Sequence, residues 1–424
     1  MTRVGMLGCG TVGGAVLRLL DAHRAEIERR AGGPVEIVRV AVRDAGRDRG
    51  IDPALLTTDP RAVVDDPTVD LVVELMGGVE PARDLVLRAL GNGKPVVTAN
   101  KELLATEGRA VFDAAEAADR DLLFEAAVGG GIPLIRPLKG SLAGEAITRV
   151  LGIVNGTTNY ILTRMTEDGS DLAAALAEAQ RLGYAEADPT ADVEGHDAAS
   201  KCAILASIAF GARVTGGDVH REGISQVSAD DIRTARRLGY VVKLLAIAEL
   251  GEDGRIAARV HPSLVPVAHP LASVRDATNA VFVEGPNIGE LMFSGRGAGG
   301  APTATAVVGD IVDAARNLRA GTRGIGCTCS HEGAVRPMAE GEGQFLIALL
   351  VVDRPGALAD IARAFADRGV SIKDAWQEGA DADARLVFVT HRAGEGAFAA
   401  ATGDLRSLPV VREVRSVLRV VAEE

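Results

Sequence analysis

The sequence predicts an α/β protein: a doubly wound parallel sheet first, an α+β unit in the middle, and a compact βαββαβ unit at the C-terminal end. Three observations predict it. Short apolar runs alternate with amphipathic helical stretches up to about residue 135, and from about Ala146 the pattern changes to strands and long alanine-rich helices. After residue 343, six elements follow in the order strand, helix, strand, strand, helix, strand.

RVGML, GCGTVGG and AVLRLLDAHRAEIERRAG read as strand, glycine turn and helix. VEIVRVAVR is a second strand. DLVVEL and KPVVTA are short apolar runs of the buried parallel kind, with helices such as PARDLVLRALGNG between them. DLAAALAEAQRLG and DAASKCAILASIAFGA are helices of the middle unit. GAPTATAVVGDIVDAARNLRAG, at about 300–320, reads as a helix returning to the first domain. The expected domains are 1–135 and 136–300, then a linker over 321–343 that is rich in glycine, cysteine and charge, then 344–424. The last unit divides into QFLIALLVV, the turn DRPG, ALADIARAFADRG, VSIKDAW, ARLVFVTHR, EGAFAAATGDLRSL and VVREVRSVLRVV.

Composition excludes several functions. A net charge of −12 with 3% aromatic residues gives no basic, ring-bearing surface for nucleic acid. No apolar run is long enough to span a membrane, and no basic n-region opens the chain, so a cytoplasmic protein is expected. Four cysteines, Cys9, Cys202, Cys327 and Cys329, are too scattered for a disulfide framework. Cys327 and Cys329 lack a second pair at zinc spacing and read as inert thiols in the linker. The seven histidines show no zinc or triad spacing. Only six of the 46 basic residues are lysine, so a lysine that persists marks a place where an ammonium is wanted.

Gly8, Gly10 and Gly13 form G-x-G-x-x-G between a strand and a helix. In that context the glycines permit the tight turn, the approach of a pyrophosphate, and close helix packing. A plain glycine-rich turn is the bland alternative. Arg43 and Asp44 end the second strand, where an arginine suits the 2′-phosphate of NADP and an acid the 2′-hydroxyl of NAD. Arg43 comes first, which favours NADP and leaves NAD possible.

Lys101 follows the strand end VVTAN at the carboxyl edge of the sheet, where ligands of doubly wound folds collect. Lys201 lies one helical turn after Asp197. A solvated ion pair fits badly there, because CAILASIAF beyond it is almost wholly apolar and a buried ammonium is costly. The loop upstream supplies Glu186, Asp188, Asp192 and Glu194, a set from which carboxylates for an ammonium substrate can come. Glu125 in FEAAVGGGIP stands beside glycines whose carbonyls suit a hard cation, although a strand running into a turn explains the segment equally well.

Taken together, GCGTVG, VVTANKELLA, FEAAVGGGIPLI, VNGTTNYIL, LGYAEADPTADVEGHDAASK, HPLASV with NAVFVEG, and GRGAGGAPTATAVVGDI resemble homoserine dehydrogenase over nearly the whole chain. The DRPGALADI segment resembles an ACT domain. The resemblance implies a Rossmann-type domain and nicotinamide-dependent interconversion of aspartate 4-semialdehyde and L-homoserine, on the route to threonine and methionine. It implies that Lys201 donates the proton, that Lys101 lies beside cofactor and substrate, and that Glu186 and Asp197 bind substrate. Thr11 and Val12 join the glycines at the cofactor, and Gly300 lies in the stretch that closes over it. Glu125, with the carbonyls of Val128, Gly130 and Ile132, matches a monovalent-cation site, for sodium. A homodimer or homotetramer is implied, paired through a sheet of the middle domain. The turn Asp353, Arg354, Pro355 and Gly356 leaves main-chain amides at a helix N-terminus, suited to the carboxylate of a small amino acid, and the resemblance makes threonine the natural ligand; a unit that only holds subunits together is the alternative. His196 and Ser200 depart from residues often seen in the family. Neither zinc nor a covalent intermediate is needed. A semialdehyde oxidation using phosphate or CoA would need a reactive cysteine, and a non-catalytic sensor would not need Lys101 and Lys201.

Overall fold

The structure is a computed structural model that describes residues 1–329, 331–378 and 383–421. The N-terminal strands assemble into a six-stranded sheet in the order Leu56–Thr57, Val35–Ala41, Thr2–Leu7, Leu71–Glu74, Val96–Thr98, Leu122–Leu123. Every neighbouring pair is parallel. The chain runs outward from Thr2–Leu7, then returns to lay Leu71–Glu74 on its other side. This reversal opens a crevice at the carboxyl ends of these two strands. Leu71–Glu74 and Val96–Thr98 are buried at every position, as covered parallel strands require.

The expected first helix is two helices, Thr11–Ala22 and Arg24–Ala31, broken at His23. The second turns to bury Ile27 and Ala31. It packs on the returning helix Gly300–Ala320, whose main partner is Thr11–Ala22. Periodicity alone does not register that change of direction.

The rest of the chain is organised by an eleven-stranded mixed sheet. Its path runs Gly289–Arg296, Thr278–Gly285, Arg149–Ile153, Tyr240–Leu250, Ile256–Pro266, Val411–Val420, Glu342–Val352, Asp383–Thr390, Ile372–Glu378. The C-terminal elements adopt the expected βαββαβ order, with helices Ala357–Asp367 and Glu395–Ser407. This unit does not stand apart from the middle one. Strand Val411–Val420 pairs in parallel with Ile256–Pro266, Ser263 opposite Arg419 and Leu264 opposite Val420. All other steps along the path are antiparallel.

Helix His196–Phe210 lies on the strands Tyr240–Leu250 and Ile256–Pro266. Its residues Cys202, Ala203, Ile204, Leu205 and Ala206 are buried there, which accounts for the apolar run CAILASIAF. Its N-terminal turn meets helix Lys101–Ala117 of the first domain. Cys327 and Cys329, expected as free thiols, are joined as a disulfide. Their Cα atoms are 5.3 Å apart, within bridging reach, so two cysteines one residue apart can pair without a wider framework.

Candidate active site

The glycines after the first strand divide by function. Gly8 has φ +100, and a Cβ there would lie 2.7 Å from the carbonyl of Leu75; a Cβ at Gly13 would lie 2.7 Å from the carbonyl of Gly8. These two are required by the turn and the helix packing. A Cβ at Gly10 would meet nothing within 4 Å, so the open side of the turn faces empty space. Helix Thr11–Ala22 begins there without a side-chain cap, leaving first-turn N–H groups available to an anion. Gly300 approaches this start closely, with its would-be Cβ 3.1 Å from Thr11 Cγ2. A dinucleotide fits this cradle.

Beyond it lies a cavity of about 300 Å³, lined by Val12, Leu75–Gly77, Ala99–Lys101, the Ala126–Gly130 turn, Lys201 and Gly297–Ala298. A larger cleft, about 830 Å³, lies elsewhere, between strands of the middle domain and the C-terminal unit, and neither Lys101 nor Lys201 lines it.

On the cavity wall the two lysines share one carboxylate. Asp197 Oδ2 accepts from Lys201 Nζ at 2.7 Å, and Asp197 Oδ1 pairs with Lys101 Nζ. Lys201 also donates to the carbonyl of Val154 at 2.7 Å and is buried. Burial pulls Lys201 below the ordinary lysine value despite the carboxylate beside it. Desolvation is the largest influence on Lys101 as well, but the charge and hydrogen bond of Asp197, with the charges of Asp192 and Glu102, together outweigh it and raise the ammonium. Burial opposes the charge on Asp197, and the two ammoniums more than compensate, holding its carboxyl far below the usual range. The arrangement is a buried acid beside a stronger cation, fitted to meet charge on a reacting oxygen.

Sequence reasoning missed a third member. Asn155 caps helix Gly156–Asp168 through Thr158 N at 2.9 Å. Its amide also donates to Asp197 Oδ2 at 2.9 Å and Asp192 Oδ1 at 2.6 Å. The signal was an asparagine ending a strand just before a helix. Glu186 is exposed and outside the cavity lining. Its loop is tied to the Asn155 turn by Thr157 Oγ1, which donates to the carbonyl of Tyr184 at 2.7 Å.

Arg43 is exposed just past the second strand. Asp44 is engaged locally, accepting from Gly46 N at 2.9 Å. Sequence reasoning also passed over Arg49, whose charge, with that of Arg18, reaches Cys9 in the glycine turn; the signal was the three arginines of RDAGRDRG.

Glu125 does not offer its carboxylate to a cation. Oε1 accepts from Leu134 N at 2.5 Å and Ile135 N at 3.0 Å, and Oε2 from Arg136 N at 2.8 Å. What the loop retains is main-chain oxygen. Among the described residues no main-chain hydrogen bond reaches the carbonyls of Val128, Gly130 or Ile132, and no cluster of three metal-ligating side chains occurs.

Comparison with known proteins agrees with this geometry. Residues 8–125 match the model of the homoserine dehydrogenase NAD binding domain, residues 133–312 that of homoserine dehydrogenase, and residues 345–410 that of the ACT domain. A homoserine dehydrogenase of Corynebacterium glutamicum is 51% identical over 98% of this chain and 95% of its own. One from Bacillus subtilis is 43% identical over 99% of this chain and 98% of its own. The crystal structure of a homoserine dehydrogenase from Thiobacillus denitrificans, 43% identical, superposes with a TM-score of 0.95 over 99% of this chain and 98% of that one. A hyperthermophilic archaeal homoserine dehydrogenase in complex with NADPH, 29% identical, covers 74% of this chain and 97% of its own at a TM-score of 0.63. The glycine cradle, the paired lysines and these full-length likenesses agree, and the chain belongs to the homoserine dehydrogenase family, as a member carrying a C-terminal ACT domain.

Proposed function

We propose that Lys201 is the proton donor in the reduction of aspartate 4-semialdehyde to L-homoserine, and the acceptor in the reverse direction. The observation that carries this is the burial of its ammonium against Asp197 on the wall of the crevice. A nicotinamide bound across the glycine cradle supplies or takes the hydride. As negative charge builds on the carbonyl oxygen, Lys201 delivers a proton, and Lys101 keeps a second positive charge beside it. Asp197 and Asn155 hold the two ammoniums in place. Asp197 and Glu186 are the proposed substrate-binding carboxylates, with Asp192 added through its bond to Asn155.

Gly8, Gly10, Thr11, Val12, Gly13 and Gly300 hold the cofactor in this reading. Arg43, supported by Arg49, favours NADP, in line with the NADPH carried by the archaeal relative. The carbonyls of Glu125, Val128, Gly130 and Ile132 form an all-oxygen donor set for sodium, with the Glu125 carboxylate fixing the loop. Threonine is the proposed effector of the ACT unit, beside the turn Asp353–Gly356 that leads uncapped into helix Ala357–Asp367. A homodimer or homotetramer in the cytoplasm completes the proposal; no helix of the described residues is long and apolar enough to cross a membrane.

The test is turnover of aspartate 4-semialdehyde with NADPH by the intact chain and by Lys201→Arg. The arginine keeps the charge and removes the dissociable proton, so kcat should fall by roughly 100-fold or more with cofactor binding retained. A wild-type kcat in that variant removes Lys201 from the role.

A further inference from the structure

Glu74 closes the strand Leu71–Glu74 and is fully buried. Among the described residues no cationic side chain pairs with it. Its carboxylate meets neutral donors on both arms. Oε1 accepts from Met76 N at 2.7 Å and Gly77 N at 3.3 Å, and Oε2 accepts from the Thr98 hydroxyl at 2.6 Å. The Thr98 oxygen in turn accepts from Asn100 N at 3.0 Å. Asn100 donates its amide to the carbonyl of Gly78 at 2.7 Å, and its Oδ1 caps the Lys101 helix through Leu103 N at 3.1 Å. The bonds form a circuit. It leaves the Leu75–Gly78 segment through Glu74, crosses to Thr98, climbs to Asn100, and returns to Gly78. Leu75, Met76 and Gly77 line the crevice on one side of this circuit, and Ala99, Asn100 and Lys101 on the other.

A carboxylate accepts on both arms at once. A glutamine keeps its oxygen on the two N–H groups only by turning its NH₂ on the Thr98 oxygen, which already accepts from Asn100 N, so the bond between the arms reverses and the Thr98 hydroxyl proton loses its partner. We infer that Glu74 is a positioning residue for Lys101: through Thr98 and Asn100 it fixes the start of the Lys101 helix against the Leu75–Gly78 segment, so that the Lys101 ammonium reaches Asp197. This rests on the reading that Lys101 works in the crevice. A displacement of about 1 Å at such a group costs up to roughly 100-fold in rate.

The experiment is a cycle of wild type, Glu74→Gln, Lys101→Ala and the double variant, with kcat and KM measured separately for homoserine and NADP. Glu74→Gln should lower kcat roughly 10- to 100-fold in the wild-type background, and by less than about 3-fold once Lys101 is gone. A merely structural carboxylate costs the same factor in both backgrounds, and that result overturns the inference while leaving the role of Lys101 intact. Wild-type kcat in Lys101→Ala overturns both. Should Glu74→Gln not fold, Thr98→Val breaks the same circuit and is read in the same cycle. Thr98→Ser, which restores the hydroxyl, should recover the wild-type kcat; a Thr98→Ser enzyme as slow as Thr98→Val also overturns the inference.

Discussion

Asp197 is shared by two ammonium groups whose proton affinities move in opposite directions. Burial decides at Lys201, lowering it, whereas at Lys101 the charge and hydrogen bond of Asp197, with the charges of Asp192 and Glu102, together outweigh burial and raise it. Raising the pH therefore discharges Lys201 first. The proposed reduction draws its proton from Lys201, so kcat in that direction should fall as pH rises through a value below the ordinary lysine pKa of about 10.4. Asp197→Asn removes the charge that supports the Lys201 ammonium, so the alkaline fall should move to lower pH; a pH–kcat profile in which it stays put or moves up contradicts this ordering. Cofactor choice also belongs to single residues. KM for NADP should be lower than for NAD, with the preference reduced in Arg43→Ala, and equal KM values in the intact enzyme would leave Arg43 without that role. The lysine count made Lys101 and Lys201 legible in the sequence, but the inference was too narrow. Lys94, Lys139 and Lys243 also persist, each donating to a backbone carbonyl: that of Asp66 at 2.5 Å, Ile325 at 2.7 Å and Val274 at 2.5 Å. The Lys139 bond is exposed, but at Lys94 and Lys243 a compact ammonium meets a part-buried or buried carbonyl, so lysine marks interior donors as well as chemistry.

Helix Gly156–Asp168 shows how much a polar motif can hide. The run NGTTNY is polar apart from its tyrosine ring, yet Thr157 through Thr163 are buried. Asn159 reaches three carbonyls of the distant segment 274–278, Val274 at 3.3 Å, Asp276 at 2.9 Å and Thr278 at 3.2 Å. Its own oxygen accepts from Lys243 Nζ at 2.9 Å. Burial holds that ammonium down at about 8. Asn159→Ala would strip an acceptor from a buried ammonium and a donor from these carbonyls, a loss of about 3 kcal/mol. A denaturant titration should show this as an earlier midpoint with unchanged slope; an unchanged midpoint would mean that water replaces the amide without loss. Elements with strong period or alternation were legible: the parallel strands, the returning helix and the βαββαβ order. What periodicity does not encode is long-range pairing of polar side chains, which is why Asn155 and Asn159 emerged, and Asp192 was separated from the other loop carboxylates, only once distant segments were brought together.

At the scale of the whole molecule, the C-terminal unit and the middle unit share both a sheet and a core. Leu346, Ala348, Val387, Val389, Leu418 and Val420 belong to the same buried cluster as Leu244, Ala246 and Val260. Arg419 ties the junction, meeting Glu395 at 2.6 and 3.1 Å and Glu222 at 2.9 Å. Glu222 is half-buried, which opposes its charge, yet its bonds to His220 and Arg419 hold it down at about 2. Its strap continues toward the lysines, since Ile224 N donates to the carbonyl of Val193 at 2.8 Å, just before helix His196–Phe210. Deleting residues 344–424 would bare the edge of Ile256–Pro266 and the apolar faces beside it. The truncated chain should melt at least about 5 °C lower or scatter light as an aggregate. A monodisperse truncated enzyme with the wild-type Tm would show the junction to be a docking of finished units. The junction also sets a timetable for synthesis. Ser263 leaves the ribosome about 150 residues before Arg419, its strand partner, so at roughly 5–20 residues per second the catalytic sheet waits on the order of 10–30 s with the Ser263–Leu264 stretch of its edge unpaired. During that interval the newborn chain offers a strand edge to any neighbour on the same polysome, and its demand for chaperones should be greatest just before the final strand emerges.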